Sequence, residues 1–251
     1  MLRILAIGNS FSEDATYFLP DILNTAGIKN EIINLHIGGC SLERHWRGIE
    51  NHLSEYQYQR NGRKTPRKCS VETVLGEGKF DAIITQQSSA DTGWECSYEP
   101  FLGLLTAYLR AQSDAKLYLH ETWAYEVGSP HPNFLRYHRD QQEMFQLLEK
   151  AYKSQAAKND MALIETGKVI QRVRALPVFQ DGSHVITRDG FHMSFLYGRY
   201  TVALCWARKL TGITVSGNAY VPEVDFMPYE PADPAIIAAI QAVVDEIIQP
   251  E

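Results

Sequence analysis

The sequence has no excess of positive charge: 24 Lys and Arg stand against 30 Asp and Glu, a formal net charge of −6 over 251 residues. Nucleic acid calls for a basic face, so no nucleic-acid partner is expected. No apolar run approaches the roughly 20 residues that cross a bilayer. The stretch Met1 to Ile7 is too short for a signal-peptide core and leads into Gly-Asn-Ser rather than a small-residue cleavage site. The expectation is a cytoplasmic protein with no membrane contact. Cysteine is scarce: Cys40, Cys69, Cys96 and Cys205 form no CxxC pair and have no ligand-like spacing to histidine. That argues against a zinc site or a disulfide framework and for free thiols. Repeats and low-complexity tracts are absent. The one basic cluster, Arg60 to Lys68, holds Gly and Pro without apolar periodicity and reads as a solvated loop that could touch a substrate.

What is there fits one globular domain over 1–251, with 45% apolar and 22% charged residues. Short apolar runs at Leu2 to Ile7, Glu31 to Ile37, Asp81 to Thr85, Lys116 to His120 and around Met161 to Ile164 read as buried parallel strands. Helical spacing covers Ala15 to Ala26, Glu99 to Gln112, Arg139 to Lys158, Ser194 to Leu210 and Pro234 to Ile248. Gly27 is the C-cap signal of the first, and Asp233-Pro234 opens the last. Alternating strands and helices imply an α/β fold, a three-layer α/β/α sandwich around a flavodoxin-like parallel sheet, with ligands outside the carboxyl ends of the strands. The stretch Gly38 to Lys79 exceeds an ordinary crossover. It reads as a polar insertion at about 40–79, carrying a helix and a Tyr-Gln-Tyr-Gln-Arg-Asn-Gly-Arg hairpin.

Chemistry-bearing residues collect at those strand ends. Ser10 stands where the first strand must turn into a helix, near amides that can stabilise an oxyanion; capping the helix is the simpler role. Gly38-Gly39 after the second strand lets backbone N–H groups approach a ligand, or merely turns the chain. The third strand ends in Gln86-Gln87-Ser88-Ser89, whose amides can donate hydrogen bonds. Asp189 and His192, three apart before a helix, suit a relay in which histidine takes a serine proton and the carboxylate orients its ring. A metal-ligand pair, with His184 or His131, or a loop hydrogen bond, remains open. Trp46, Trp94, Trp123 and Tyr125 follow strand ends, where rings stack on sugars or simply pack. Arg44, His45 and Arg47 could donate to hydroxyls.

Gly8-Asn9-Ser10-Phe11-Ser12, Gly39, Gln86 and Asp189-x-x-His192 together resemble the blocks of the SGNH (GDSL-like) hydrolase superfamily, in the same order. A bacterial branch of it, catalogued as a domain of unknown function, is similar also in 38–45 (GGCSLERH), 86–89 (QQSS) and 122–125 (TWAY). The resemblance implies the SGNH fold and a serine esterase, an O-acetylesterase on a small-molecule or carbohydrate ester. It implies Ser10 as nucleophile, His192 as general base and Asp189 as orienting acid. The oxyanion hole it implies combines the Ser10 and Gly39 N–H groups with a side-chain amide, assigned to Gln86 with Gln87 as alternate. Trp123, Tyr125 and Gln87 are the substrate-binding candidates, and no cofactor or metal is required. Two departures stand out: Thr85-Gln86-Gln87-Ser88 replaces the superfamily's Gly-x-Asn-Asp, and Gly-Asn-Ser replaces Gly-Asp-Ser. Rival readings are a noncatalytic carbohydrate-binding protein on the same fold and a metal-dependent hydrolase.

Overall fold

The computed structural model describes residues 1–224 and 231–250. Strands β1 (Leu2–Gly8), β2 (Asn30–His36), β3 (Tyr56–Arg60), β4 (Arg63–Cys69), β5 (Ala82–Thr85), β6 (Lys116–His120) and β7 (Ala162–Ile164) form one sheet. Their spatial order is β4-β3-β2-β1-β5-β6-β7. The five strands expected from the sequence are its parallel part, β2-β1-β5-β6-β7, the flavodoxin-like order. Along β1, Ile4 and Ala6 enter one core while Leu5 and Ile7 enter the other. A run apolar on both faces therefore encodes a strand with helices above and below.

One face is covered by α1 (Ser10–Thr16), α2 (Leu19–Thr25), α7 (Thr166–Arg174), α9 (Tyr197–Thr211) and α10 (Pro234–Ile247). The other is covered by α3 (Leu42–Glu50), α4 (Val71–Leu75), α5 (Phe101–Gln112) and α6 (Gln141–Lys158), and the short α8 (Pro177–Gln180) follows α7. Asp233 caps α10 through Ala235 N, with Pro234 in its first turn, as its sequence signal requires.

The helix expected over Ala15 to Ala26 is instead two. Pro20, in the first turn of α2, has no N–H to bond the Thr16 carbonyl, so a continuous helix fails there and a new one starts. Helix α1 begins at Ser10 itself, so the serine lies in a helical first turn rather than ahead of one.

The segment Arg60 to Lys68 is likewise not a solvated loop. It is the end of β3, a tight turn and most of β4, a hairpin antiparallel to β2. The turn residues Asn61 and Gly62 have φ of 49° and 72°, as a two-residue hairpin turn demands. Its Lys and Arg residues, with Pro66, belong on an edge strand, where charge and a missing N–H discourage further pairing. The insertion thus widens the sheet, and its helices α3 and α4 join the core of one face.

Candidate active site

The strand ends of β1, β2 and β5 meet at Asn9. Its backbone is extended, and its side-chain oxygen accepts the Phe11 N–H (3.0 Å) as the N-cap of α1. Its Nδ2 donates to the Cys40 carbonyl (3.0 Å), tying the serine turn to the glycine loop after β2. An aspartate could make the first bond but not the second, a physical reason for Gly-Asn-Ser in this chain. Gly8 has no room for a side chain: a Cβ would stand 2.5 Å from both Gln86 Nε2 and Ser12 Oγ.

Four N–H groups open any helix without a partner in it. In α1 these belong to Asn9, Ser10, Phe11 and Ser12: Phe11 N meets Asn9 Oδ1, while Asn9 N and Ser12 N lie 3.2 and 3.3 Å from the Gln86 amide. Ser10 N–H alone is left over among the described residues. The exposed Gly39, at φ 61° in the turn closed by Cys40 N to the Ile37 carbonyl (3.2 Å), also presents an N–H without an acceptor among them.

Opposite α1, His192 Nε2 lies 2.9 Å from Ser10 Oγ, and His192 Nδ1 lies 2.6 Å from Asp189 Oδ2. The second oxygen, Asp189 Oδ1, accepts the backbone N–H groups of His192 (2.7 Å) and Phe191 (3.1 Å). Burial raises the Asp189 carboxyl, but these hydrogen bonds and the His192 charge outweigh it and hold the pKa below the ordinary value. The turn needs Gly190, whose φ is 88° and where a Cβ would stand 2.9 Å from Ser129 Oγ. Ser10, His192 and Asp189 are therefore brought together as the sequence motifs require of a proton relay.

Asp14, which the sequence reading passed over, holds this loop against α1. Fully buried one turn after Ser10, it accepts from Arg188 Nη1 (3.0 Å), Arg199 Nε (2.8 Å) and Met193 N (3.0 Å). Its spacing of four from Ser10 was the only available signal, since its partners lie about 180 residues away.

The two glutamines do not serve as expected. Gln86 is 0% exposed, and one end of its amide sits 3.2 Å from Asn9 Oδ1 and N, beneath α1. It braces the serine turn from below and offers nothing to a ligand. Gln87 is equally committed: Oε1 accepts from Leu42 N (3.0 Å) and Ser88 N (2.8 Å), and Nε2 donates to the Ser97 carbonyl (2.8 Å). It staples the start of α3 to the segment after β5.

The substrate-binding assignment of Trp123 and Tyr125 also fails, because both are 0% exposed. Trp123 stacks on Phe11 (centroids 4.1 Å) and donates to the Phe191 carbonyl (2.7 Å), so it supports the relay from within. Tyr125 bonds Ser89 Oγ through its hydroxyl (2.8 Å). Trp46 is half-buried on α3, and Trp94 is 37% exposed with Arg136 over its ring. Arg44 and Arg47 pair with surface glutamates.

His45 is buried, its Nδ1 2.7 Å from Tyr56 Oη and 3.4 Å from Cys40 Sγ. Burial lowers the His45 pKa to about 3 and raises the Cys40 thiol to about 12. This neutral cluster anchors the glycine loop to β3 and has no thiolate nucleophile. All four cysteines are free. Among the described residues no three His, Cys, Asp or Glu side chains are grouped to hold a metal ion, and no helix is long and apolar enough to cross a membrane.

The chain is similar to a crystal structure of a DUF4886 family protein from Bacteroides uniformis, with 34% identity, a TM-score of 0.89, and coverage of 98% of this chain and 94% of that one. A provisionally assigned SGNH hydrolase from Slackia heliotrinireducens matches at 19% identity and a TM-score of 0.57, covering 82% of this chain and 97% of the other. An acetylxylan esterase from Geobacillus stearothermophilus matches at 13% identity and a TM-score of 0.58, covering 84% and 94%. No curated protein matches. The fold is that of the SGNH hydrolases. The family model described as Domain of unknown function (DUF4886) matches residues 3–232, and the chain belongs to that family.

Proposed function

From membership of DUF4886 and the SGNH fold, we propose that the protein is a serine ester hydrolase, an O-acetylesterase acting on a small-molecule or carbohydrate ester. The observation that carries this reading is the continuous relay Ser10–His192–Asp189, with contacts of 2.9 and 2.6 Å. His192 accepts the Ser10 proton as Oγ attacks the ester carbonyl. Asp189 keeps the proton of the neutral ring on Nδ1 and stabilises the imidazolium. The oxyanion falls to the two N–H groups left free, those of Ser10 and Gly39, in place of any glutamine side chain. His192 then passes its proton to the leaving alcohol oxygen. Water, deprotonated by His192, cleaves the acyl-enzyme to give the acid and restores Ser10.

The acetyl preference is supported by the acetylxylan esterases among the fold's neighbours. The test is hydrolysis of p-nitrophenyl acetate against longer acyl esters, with wild type and Ser10→Ala. Activity favouring acetate and abolished by the substitution is expected. Full activity in Ser10→Ala would reject the nucleophile. An inert wild type would favour a noncatalytic binding protein.

A further inference from the structure

The hydrolase reading leaves one histidine of the active edge without a task. His131 is half-buried in the stretch that follows β6. Its ring packs against Tyr125 (centroids 4.6 Å) and Phe191 (4.7 Å), which touch each other (5.8 Å), and Phe191 in turn lies against His192 (4.2 Å). Tyr125, buried and bonded through its hydroxyl, is thus a backing for His131.

The hydrogen bonding of this ring is polarised. Nδ1 accepts the Asn133 N–H (3.2 Å), which in a neutral imidazole places the proton on Nε2. Burial, then the charge of His192, lowers the His131 pKa against the pull of Asp189, which favours the neutral ring. Nε2–H has no acceptor among the described residues. The free oxyanion donors lie on α1 and the loop after β2, so the flank of His192 is where the alcohol leaves.

We infer that His131 is a specificity residue of the site, its Nε2–H binding an oxygen of the alcohol portion of the ester, so that hydroxyl-rich alcohols are favoured over apolar ones. The inference rests on the hydrolase reading. A donor that an apolar alcohol leaves unpaired penalises that alcohol, whereas a hydroxyl or ether oxygen satisfies it. The aromatic backing of Tyr125 and Phe191 holds the ring for that contact without supplying another polar group.

The experiment compares two acetates of similar size, a mono-O-acetylated methyl xyloside and cyclohexyl acetate, in wild type, His131→Phe and His131→Gln. Phenylalanine keeps the packing and removes the donor; glutamine keeps an N–H donor. The expected result is a wild-type preference for the xyloside in kcat/KM that shrinks roughly tenfold or more in His131→Phe and is partly restored in His131→Gln. Equal losses on both acetates, or an unchanged preference, would overturn the assignment. Fluorophosphonate labelling of Ser10, run in parallel, separates the two levels: no labelling of wild type removes the hydrolase reading itself. If His131→Phe fails to fold, the same comparison is read from His131→Leu, which also lacks the donor and must also narrow the preference.

Discussion

Ser10 and His192 meet across 2.9 Å, yet unlike means bring the two there. Ser10 rides on regular structure: a central strand, a capped helix and a paired polar layer of Asn9, Gln86, Ser12 and Asn34. His192 stands on an irregular loop whose local pairing is the bridge of Thr187 with Met193 and whose tie to α1 is the Asp14 ion cluster. Ser10 is thus placed by secondary structure and His192 by buried electrostatics. The second half is the more fragile, because removing one member of a buried ion cluster strands its partners.

The largest break affects both halves at once. Ser10→Ala or His192→Ala should cost on the order of 10⁴-fold or more in kcat, with an unchanged melting curve. Next comes Asp14→Ala, which leaves Arg188 and Arg199 facing each other without the carboxylate. A loss of about 3–5 kcal/mol in denaturant unfolding is expected, with kcat falling about 10²-fold as the loop shifts. Its counterpart on the Ser10 side, Ser12→Ala, removes a bond of 2.8 Å to Asn34 and should cost only about 1–2 kcal/mol. Equal losses from Asp14→Ala and Ser12→Ala would erase the distinction between the halves.

A smaller change sharpens it. Asn9→Asp keeps the helix cap and turns an acceptor toward the Cys40 carbonyl, so the glycine loop should loosen. A fall of roughly tenfold in kcat with little change in stability is expected; an unchanged kcat would mean the cap is the only role of Asn9. The smallest effect is one of pH. The lowered Asp189 pKa means that its contribution is intact above the ordinary carboxyl value and is lost as pH falls through the lowered one. Exchange protection of the Phe191 and His192 amides should decline in that acid range, while Phe11 and Ser12 keep theirs.

The same division explains what could be read from sequence. The five parallel strands and the Ser10, Gly39 and Asp189-x-x-His192 motifs are local patterns, each set by a few consecutive residues. The edge hairpin is legible in sequence as a hairpin but not as part of the sheet, because the charges of its second half resemble those of a solvated loop. Asp14 has only its spacing from Ser10 to mark it, since its meaning depends on arginines distant in sequence. Gln86, Gln87, Trp123 and Tyr125 stand at the right strand ends, but only packing decides whether a side chain turns outward to a ligand or inward to brace its neighbours. All four turn inward.

The most direct test of the relay is reaction with a fluorophosphonate, followed by mass spectrometry of the proteolysed protein. Stoichiometric modification of Ser10, slowed by orders of magnitude in His192→Ala, is predicted. A wild type that stays unmodified, or carries the label on another residue, would contradict the assignment of Ser10 as a nucleophile activated by His192.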